Sequence, residues 1–380
     1  MDGVKLEESG FESALKENAK GVQIGAKIDD FVLRLKRRTF TNSFELTRET
    51  LSLLRLVVNY VRWSSPADIF PHIRAFARRL ERARPNALVV GNASRRVMHL
   101  VREEYLRMLK ENGADISLLK RKSFDESVPV STERFLPSRE IAMGGHFGNA
   151  VADVNLRSVV VEGITEMLEE MDNLVEPISK QALEHVHADD VVLVFGYSST
   201  VEVFLAAARR KRVFKVFVVE GAPQYSGHKM AKKLSSLDIE TTVVSDSAVF
   251  ALMARVNKVL IGTHAVMANG GLMANCGTHM VALAAKHHSV PVVCITGLYK
   301  LCPLFPYNRD SFLELTSPGS ALVYSDLGAV SDKVQVVSPL SDYVPPDLIS
   351  LFVTNTGGHQ PSYIYRLLAE YYDINAEEEF

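Results

Sequence analysis

Cysteine is scarce in this chain of 380 residues: there are three, Cys276, Cys294 and Cys302, and no C-x-x-C pair among them. That usage suggests neither a zinc site nor a disulfide framework, and it fits small buried thiols in a reducing compartment. Long apolar runs are missing as well. Stretches such as Val191-Val192-Leu193-Val194-Phe195 fall far short of the roughly 20 residues that a membrane helix needs. The opening residues, Met1-Asp2-Gly3-Val4-Lys5-Leu6-Glu7-Glu8, are acidic and lack the apolar core of a signal peptide, which predicts a cytoplasmic protein of the cytosol. No G-x-G-x-x-G follows the first strand-like run and no G-x-x-x-x-G-K-[ST] occurs anywhere, so no dinucleotide or nucleotide cofactor is expected, and no metal. Nor does one sign of charge dominate. With 43 Lys+Arg against 45 Asp+Glu, a net of -2, and 47% hydrophobic residues, the composition is that of a folded globular protein. The length predicts about two domains, each able to bury a core unaided.

The neutrality hides a segregation. Residues 31–110 hold 17 Lys+Arg and 6 Asp+Glu, a net of +11, which leaves 26 basic and 39 acidic groups, a net of -13, elsewhere. In the basic stretch, Leu51, Leu54, Val57, Val58 and Val61 recur at helical steps, Ser65-Pro66-Ala67-Asp68 is a helix start, and Asn92 or Ser94 is a candidate start for the helix carrying Val97, Leu100 and Val101. The spacing predicts a helical bundle. From 112 to 150 the periodicity fails among Gly, Pro, Ser and Lys, which reads as a long irregular loop. Helical spacing returns at Val159, Val160, Ile164 and Met167 and runs to His185, giving an α-helical domain over 1–187.

After His187 the period changes. Apolar runs of strand length, at 191–195, 213–219, 241–244, 258–261, 291–295 and 334–337, alternate with helix candidates at 199–209, 228–237, 247–255 and 274–287. That alternation predicts an α/β domain over 188–380, a Rossmann-like doubly wound parallel sheet, with sites at the carboxyl ends of its strands. The fold class is therefore α/β, an N-terminal helical bundle followed by that sheet. At those ends, Ser198 is read as a helix cap, with a phosphate cradle as the alternative. Glu220 is read as a loop organiser before a ligand group. Asp246 is read as an N-cap, its strand-end place leaving binding open. Asn269-Gly270-Gly271 makes a tight turn, and Gly277-Thr278 permits close backbone approach.

The order of these segments, Gly-Tyr-Ser at 196–198, Glu-x-x-Pro at 220–223, Ser-Gly-x-x-Met-Ala at 226–231, and Ala-Asn-Gly at 268–270 followed by Gly277-Thr278, resembles one family: the regulatory alpha, beta and delta subunits of translation initiation factor 2B and their sugar-phosphate isomerase relatives. Further likeness in Gln181 to His185, Arg255 to Val259, Asp342 to Pro346, Pro361 to Leu367, and in Arg62-Trp63-Ser64 of the basic helices carries it over most of the chain. In the isomerases the resemblance implies a catalytic cysteine, an aspartate, an arginine and an Asn-Lys pair. Here Gly196, His264, Ala222 and Ala274-Asn275 stand at those positions. A glycine transfers no proton, so the expectation is a chain without catalysis, with a sugar-phosphate isomerase or metabolite-binding relative as the alternative. Ser198, Glu220, Asp246, Asn269, Gly277 and Thr278 are then the remains of its pocket.

By the same resemblance the chain is a non-catalytic regulatory subunit of the guanine-nucleotide exchange factor for translation initiation factor 2. Its implied partners are homologous alpha and delta subunits, gamma and epsilon subunits that carry catalysis, and initiation factor 2 itself, whose alpha subunit inhibits when phosphorylated in the integrated stress response. Arg55, Arg62, Arg74, Arg78, Arg79, Arg95 and Arg96 are candidate contacts for an acidic or phosphorylated partner. Glu162 and Glu166, with Glu169 and Glu170, form an acidic face at helical spacing near the implied cleft for the unphosphorylated substrate. No aromatic interleaving or nucleic-acid module points to RNA. Val191, Val216, Thr242, Tyr363 and Tyr365 are candidate subunit contacts, with core packing as the plainer reading.

Overall fold

A computed structural model describes residues 2–16, 18–40, 42–111, 149–307 and 314–372. The expected loop at 112–150 lies outside the described residues, except that Asn149 and Ala150 already belong to a helix. Contacts divide the chain into two compact units, one reaching Met171 and taking in Tyr371 and Tyr372, the other running from Asp172 to Glu370.

The first unit is built from helices α1 (Asp2–Lys16), α2 (Ala19–Lys36), α3 (Ser43–Tyr60), α4 (Pro66–Ala83), α5 (Leu88–Glu111) and most of α6 (Asn149–Asn173). Asn42 caps α3 by accepting the Phe44 N–H at 3.0 Å, and Leu51, Leu54, Val57, Val58 and Val61, the stripe that the spacing predicted, are buried. At α4 the Asp68 carboxylate turns back to accept the Ser65 N–H at 3.0 Å, closing a capping box, and Pro66 takes the first helical position, where its missing N–H costs nothing. The expected start of α5 at Asn92 or Ser94 is corrected, because the helix begins at Leu88 and both residues lie buried inside it. The Ser94 hydroxyl donates to the Val90 carbonyl at 3.2 Å, so a residue that starts helices elsewhere is satisfied within this one.

The second unit opens with two short helices, α7 (Val175–Lys180) and α8 (Ala182–His185). Sequence spacing attached them to the bundle. Their buried Ile178 and Ala182, and a 2.7 Å hydrogen bond from Gln181 Nε2 to the Thr354 carbonyl, instead join them to this unit.

Its strands and helices then alternate: β1 (Val191–Phe195), α9 (Ser199–Arg209), β2 (Lys215–Val219), α10 (Ser226–Ser235), β3 (Glu240–Val244), α11 (Val249–Met253) and β4 (Lys258–Ile261). A hairpin of β5 (Ala265–Val266) and β6 (Leu272–Asn275) leads into α12 (Thr278–His287) and β7 (Val292–Ile295), and β8 (Ser341–Val344), β9 (Leu351–Thr354), β10 (Gly357–His359) and α13 (Ile364–Tyr371) close the chain.

Among the described residues, seven strands form one sheet in the order β10-β9-β7-β4-β1-β2-β3, parallel except for β10. β1 lies inside the sheet, Val192 facing Val216 on one side and Lys258 on the other, which places the topological switch between β1 and β4. Val192, Leu193, Val216, Val218, Val259 and Leu260 are fully buried, as a parallel sheet covered on both faces requires.

Two expectations are corrected. Residues 272–275 pair with β8 in a separate antiparallel sheet, β5-β6-β8, so the helix expected from Ala274 starts only at Thr278. The tight turn between β5 and β6 is held by Gly270 at φ +80°, a left-handed conformation that suits glycine. The run Val334–Val337 forms no strand, and Val334 and Val337 are exposed. An apolar run makes a strand only where a neighbour offers it a ladder.

Leu260, on a central strand with no exposure, tests the sheet. Leu260→Ala is expected to cost about 3 kcal/mol in urea unfolding of the intact protein.

Candidate functional site

The carboxyl ends of β1, β2 and β3 meet in a set of internal bonds. Gly196 adopts φ +61°, and a Cβ built on it would lie 2.8 Å from Ser226 Oγ and 3.5 Å from Asn275 Nδ2. A side chain at this position would therefore need Ser226 to move. His264 is exposed, and its Nε2 lies 2.8 Å from Asn275 Oδ1, so the strand-end loop after β4 is tied to the end of β6.

The other sequence candidates are also occupied by the chain itself. Ser198 Oγ accepts the Val201 N–H at 3.5 Å, the capping geometry expected of it. Glu220 lies 3.6 Å from His228, whose ring stacks on Tyr225. The cap reading of Asp246 is corrected: its two oxygens accept the Gly221 N–H at 3.0 Å and the Ala222 N–H at 2.7 Å, so it fixes the loop after β2. Asn269 braces the hairpin, donating to the Tyr343 hydroxyl at 2.7 Å and accepting the Gly271 N–H at 2.9 Å. Thr278 donates to the Asn275 carbonyl at 2.6 Å. The Gly277 N–H donates to Asp342 Oδ2 at 2.7 Å. Burial pushes the Asp342 carboxyl above the usual range, while the N–H groups of Gly277 and His279 pull it back. Among the described residues no three His, Cys, Asp or Glu gather as metal ligands, and no helix is long and apolar enough to cross a membrane.

The surface beside these ends is apolar. α11 and α12 enclose a groove lined by Asp246, Phe250, His279, Met280, Leu283 and His287. Phe250 is 53% exposed, Leu283 51% and Met280 42%, a cluster of large hydrophobic side chains left in water. Sequence reading missed it, although α12 carried a signal: with Val281, Ala282, Ala284 and Ala285 buried on one side and Met280 and Leu283 on another, it is apolar over more surface than one sheet covers.

Of the expected subunit contacts, Val216 is corrected, since it has no exposure and belongs to the sheet core. Val191 is half-buried and Thr242 is exposed on β3. Tyr365 is 51% exposed, and Tyr363 stacks on His359 with ring centres 5.3 Å apart.

In the helical unit five of the seven candidate arginines are paired with carboxylates of the same unit. Arg74 and Arg78 reach Glu7 at 3.8 and 2.5 Å, Arg79 pairs with Asp29, Arg95 lies 3.9 Å from Glu81, and Arg96 lies 2.7 Å from Glu170 and over the Tyr371 ring. Arg55 donates to Thr165 Oγ1 at 3.3 Å. Arg62 is exposed, as are Glu162, Glu166 and Glu169 on α6. Half-buried guanidinium groups need partners, and these find them in their own unit.

With this geometry in place, the sequence pattern of the Initiation factor 2 subunit family matches residues 41–361. The chain belongs to that family. Over 368 residues it is 41% identical to the translation initiation factor eIF2B subunit beta of Dictyostelium discoideum, covering 91% of this chain and 95% of that one. The protein of the same name in Schizosaccharomyces pombe is 36% identical over 380 residues, covering 92% and 96%. In the crystal structure of the tetrameric eIF2B-beta2-delta2 complex from C. thermophilum, a chain with 28% identity superposes at a TM-score of 0.67, covering 96% of this chain and 99% of that one. This member of the Initiation factor 2 subunit family is a translation initiation factor subunit.

One buried cation also belongs to this family member's strand-end region. Lys300 is buried, and its Nζ donates to the Thr263 carbonyl at 2.8 Å, beside His264. Burial pulls the amine from its ordinary 10.5 to about 8. Because the folded value is below the unfolded one, the unfolded chain binds more protons between pH 8 and 10.5, so this lysine adds stability as pH rises through that window and lowers it below pH 8. Lys300→Met is expected to flatten the rise, and the difference in melting temperature between the two proteins, read from pH 7 to 10, checks it.

Proposed function

We propose that this chain is a non-catalytic regulatory subunit of the guanine-nucleotide exchange factor for translation initiation factor 2, docked to a homologous delta-type subunit through the groove between α11 and α12. The exposed cluster of Phe250, Met280 and Leu283 carries the reading. A monomeric soluble protein gains nothing by leaving such side chains in water, and burying them in an interface removes that cost. The relatives named eIF2B subunit beta and the beta2-delta2 tetramer supply the partner's class.

The remaining subunits of the assembly, alpha, gamma and epsilon, and initiation factor 2 with its phosphorylated alpha subunit, follow from the same reading, as does action in the cytosol. For the helical unit the reading favours Arg62 and the exposed Glu162 and Glu166 as contacts, since Arg74, Arg78, Arg79, Arg95 and Arg96 already hold carboxylates. Releasing any of these to a partner would leave its own carboxylate unpaired.

Absence of isomerase chemistry is supported by Gly196, which has neither a proton to transfer nor room for a side chain without moving Ser226. Incubated with methylthioribose or ribose phosphates, the unmodified protein is expected to give no ketose product above the blank; turnover would overturn this part of the reading.

Assembly is tested directly. Leu283→Asp and Phe250→Asp each place a charge in the groove and are expected to abolish recovery of a complex with a co-expressed delta-type subunit, read by native mass. A complex of unchanged mass and stability would refute docking at this face.

A further inference from the structure

The helix that contributes most to the groove has no cap of its own. α12 is preceded by Gly277 at φ +101°, which offers no side-chain acceptor, and the first four N–H groups of a helix lack partners within it. The acceptor comes from elsewhere. Asp342 on β8 reaches across so that its Oδ2 takes the Gly277 N–H at 2.7 Å and the His279 N–H at 3.3 Å. Near the other end of the same helix, Lys286 Nζ lies 2.6 Å from Asp347 Oδ2, in the turn that follows β8. The segment 341–348 thus grips α12 at both ends. β8 itself is registered on β6, with Asp342 opposite Ala274, and is not a strand of the main sheet.

This is a costly way to cap a helix. The Asp342 Oδ1 oxygen is buried with no hydrogen-bond partner among the described residues, and a half-satisfied buried carboxylate lowers stability. A Ser or Asp in the local sequence would cap the helix in water at no such cost. What the long-range contact adds is position: it fixes where α12 starts relative to β6 and β8, and therefore where Met280 and Leu283 stand in the groove. The negative charge also sits at the positive end of the helix dipole, which favours one axial placement.

We propose that Asp342 is a positioning residue for subunit association, holding α12 in the register that presents Met280 and Leu283 to the partner subunit. It acts through the helix and does not touch the partner. The inference rests on the groove being the docking face. Loss of the acceptor frees the first turn of α12, and the helix then has to be ordered again on binding, which weakens association.

The test uses the full chain co-expressed with a delta-type subunit, with the dissociation constant read from sedimentation on dilution. Asp342→Ala is expected to weaken association about tenfold, the size of a lost helix cap. Asp342→Asn keeps an acceptor oxygen and is expected to stay within about threefold. Val218→Ala, a core truncation in the same unit, controls for general destabilisation and is expected to leave association unchanged even where its melting temperature falls as far.

Wild-type affinity in Asp342→Ala, while Leu283→Asp still dissociates the complex, would overturn the positioning role and leave the docking face standing. Intact assembly in Leu283→Asp would remove the docking face and this inference with it. Equal weakening by Val218→Ala and Asp342→Ala at matched stability would reduce Asp342 to a stability residue. If Asp342→Ala does not fold, hydrogen exchange on Asp342→Ser, whose shorter side chain draws the acceptor back from the Gly277 and His279 N–H groups, decides: loss of affinity with faster exchange at 280–284 supports the role, and unchanged affinity overturns it.

Discussion

Backbone N–H and C=O groups at the carboxyl ends of parallel strands must find partners once the sheet is covered on both faces, and most of what distinguishes this protein follows from how it meets that demand. Asp246 takes two N–H groups of the loop after β2, Asp342 takes two at the start of α12, and Lys300 donates to the Thr263 carbonyl after β4. In open α/β sheets this crevice is where ligands bind. Here charged side chains of the chain itself hold those backbone groups, and a side chain at Gly196 would meet Ser226 Oγ. At these ends the acids fix a loop and the start of a helix.

The same rule governs the helical unit. A strongly basic stretch is read most simply as a surface for an acidic partner, yet its arginines are half-buried and matched to Glu7, Asp29, Glu81 and Glu170 of the same unit. Glu7 and Asp29 lie on α1 and α2 and Glu170 on α6, so the pairing draws separate helices together. The carboxyl of Glu81 shows the balance at work: burial raises its pKa, while Arg95 and Arg78 pull it down. Local counts of charge cannot show most of this cancellation, because Glu7, Asp29 and Glu170 lie 50 to 74 positions from the arginines Arg78, Arg79 and Arg96 that they hold.

Legibility followed burial and period. β1 and β4 were bounded correctly because continuous apolar runs flanked by polar turns have one good solution, and the Ser65-Asp68 box announced α4 because all its atoms lie within one helical turn. β8 and β9 escaped notice, and Val334–Val337 was overvalued, since strand formation there depends on which neighbour offers a ladder. Asn92 and Ser94 misled as helix starts because burial between packed helices overrode their preference for ends. Asp342 lay in a stretch that supported the family resemblance, but its role required knowing that β8 passes the start of α12.

By itself the sequence determined the two classes of architecture, the central strands and family membership. These are carried by local period and by motifs short enough to read in order. Only the tertiary structure decided that Arg74, Arg78, Arg79, Arg95 and Arg96 are paired within their unit, that strand-end acids hold backbone N–H groups, and that Phe250, Met280 and Leu283 form one exposed face. The reason is physical: pairing, capping and exposure are properties of neighbours brought together by folding, and a residue's type fixes what it can do while its surroundings fix what it does.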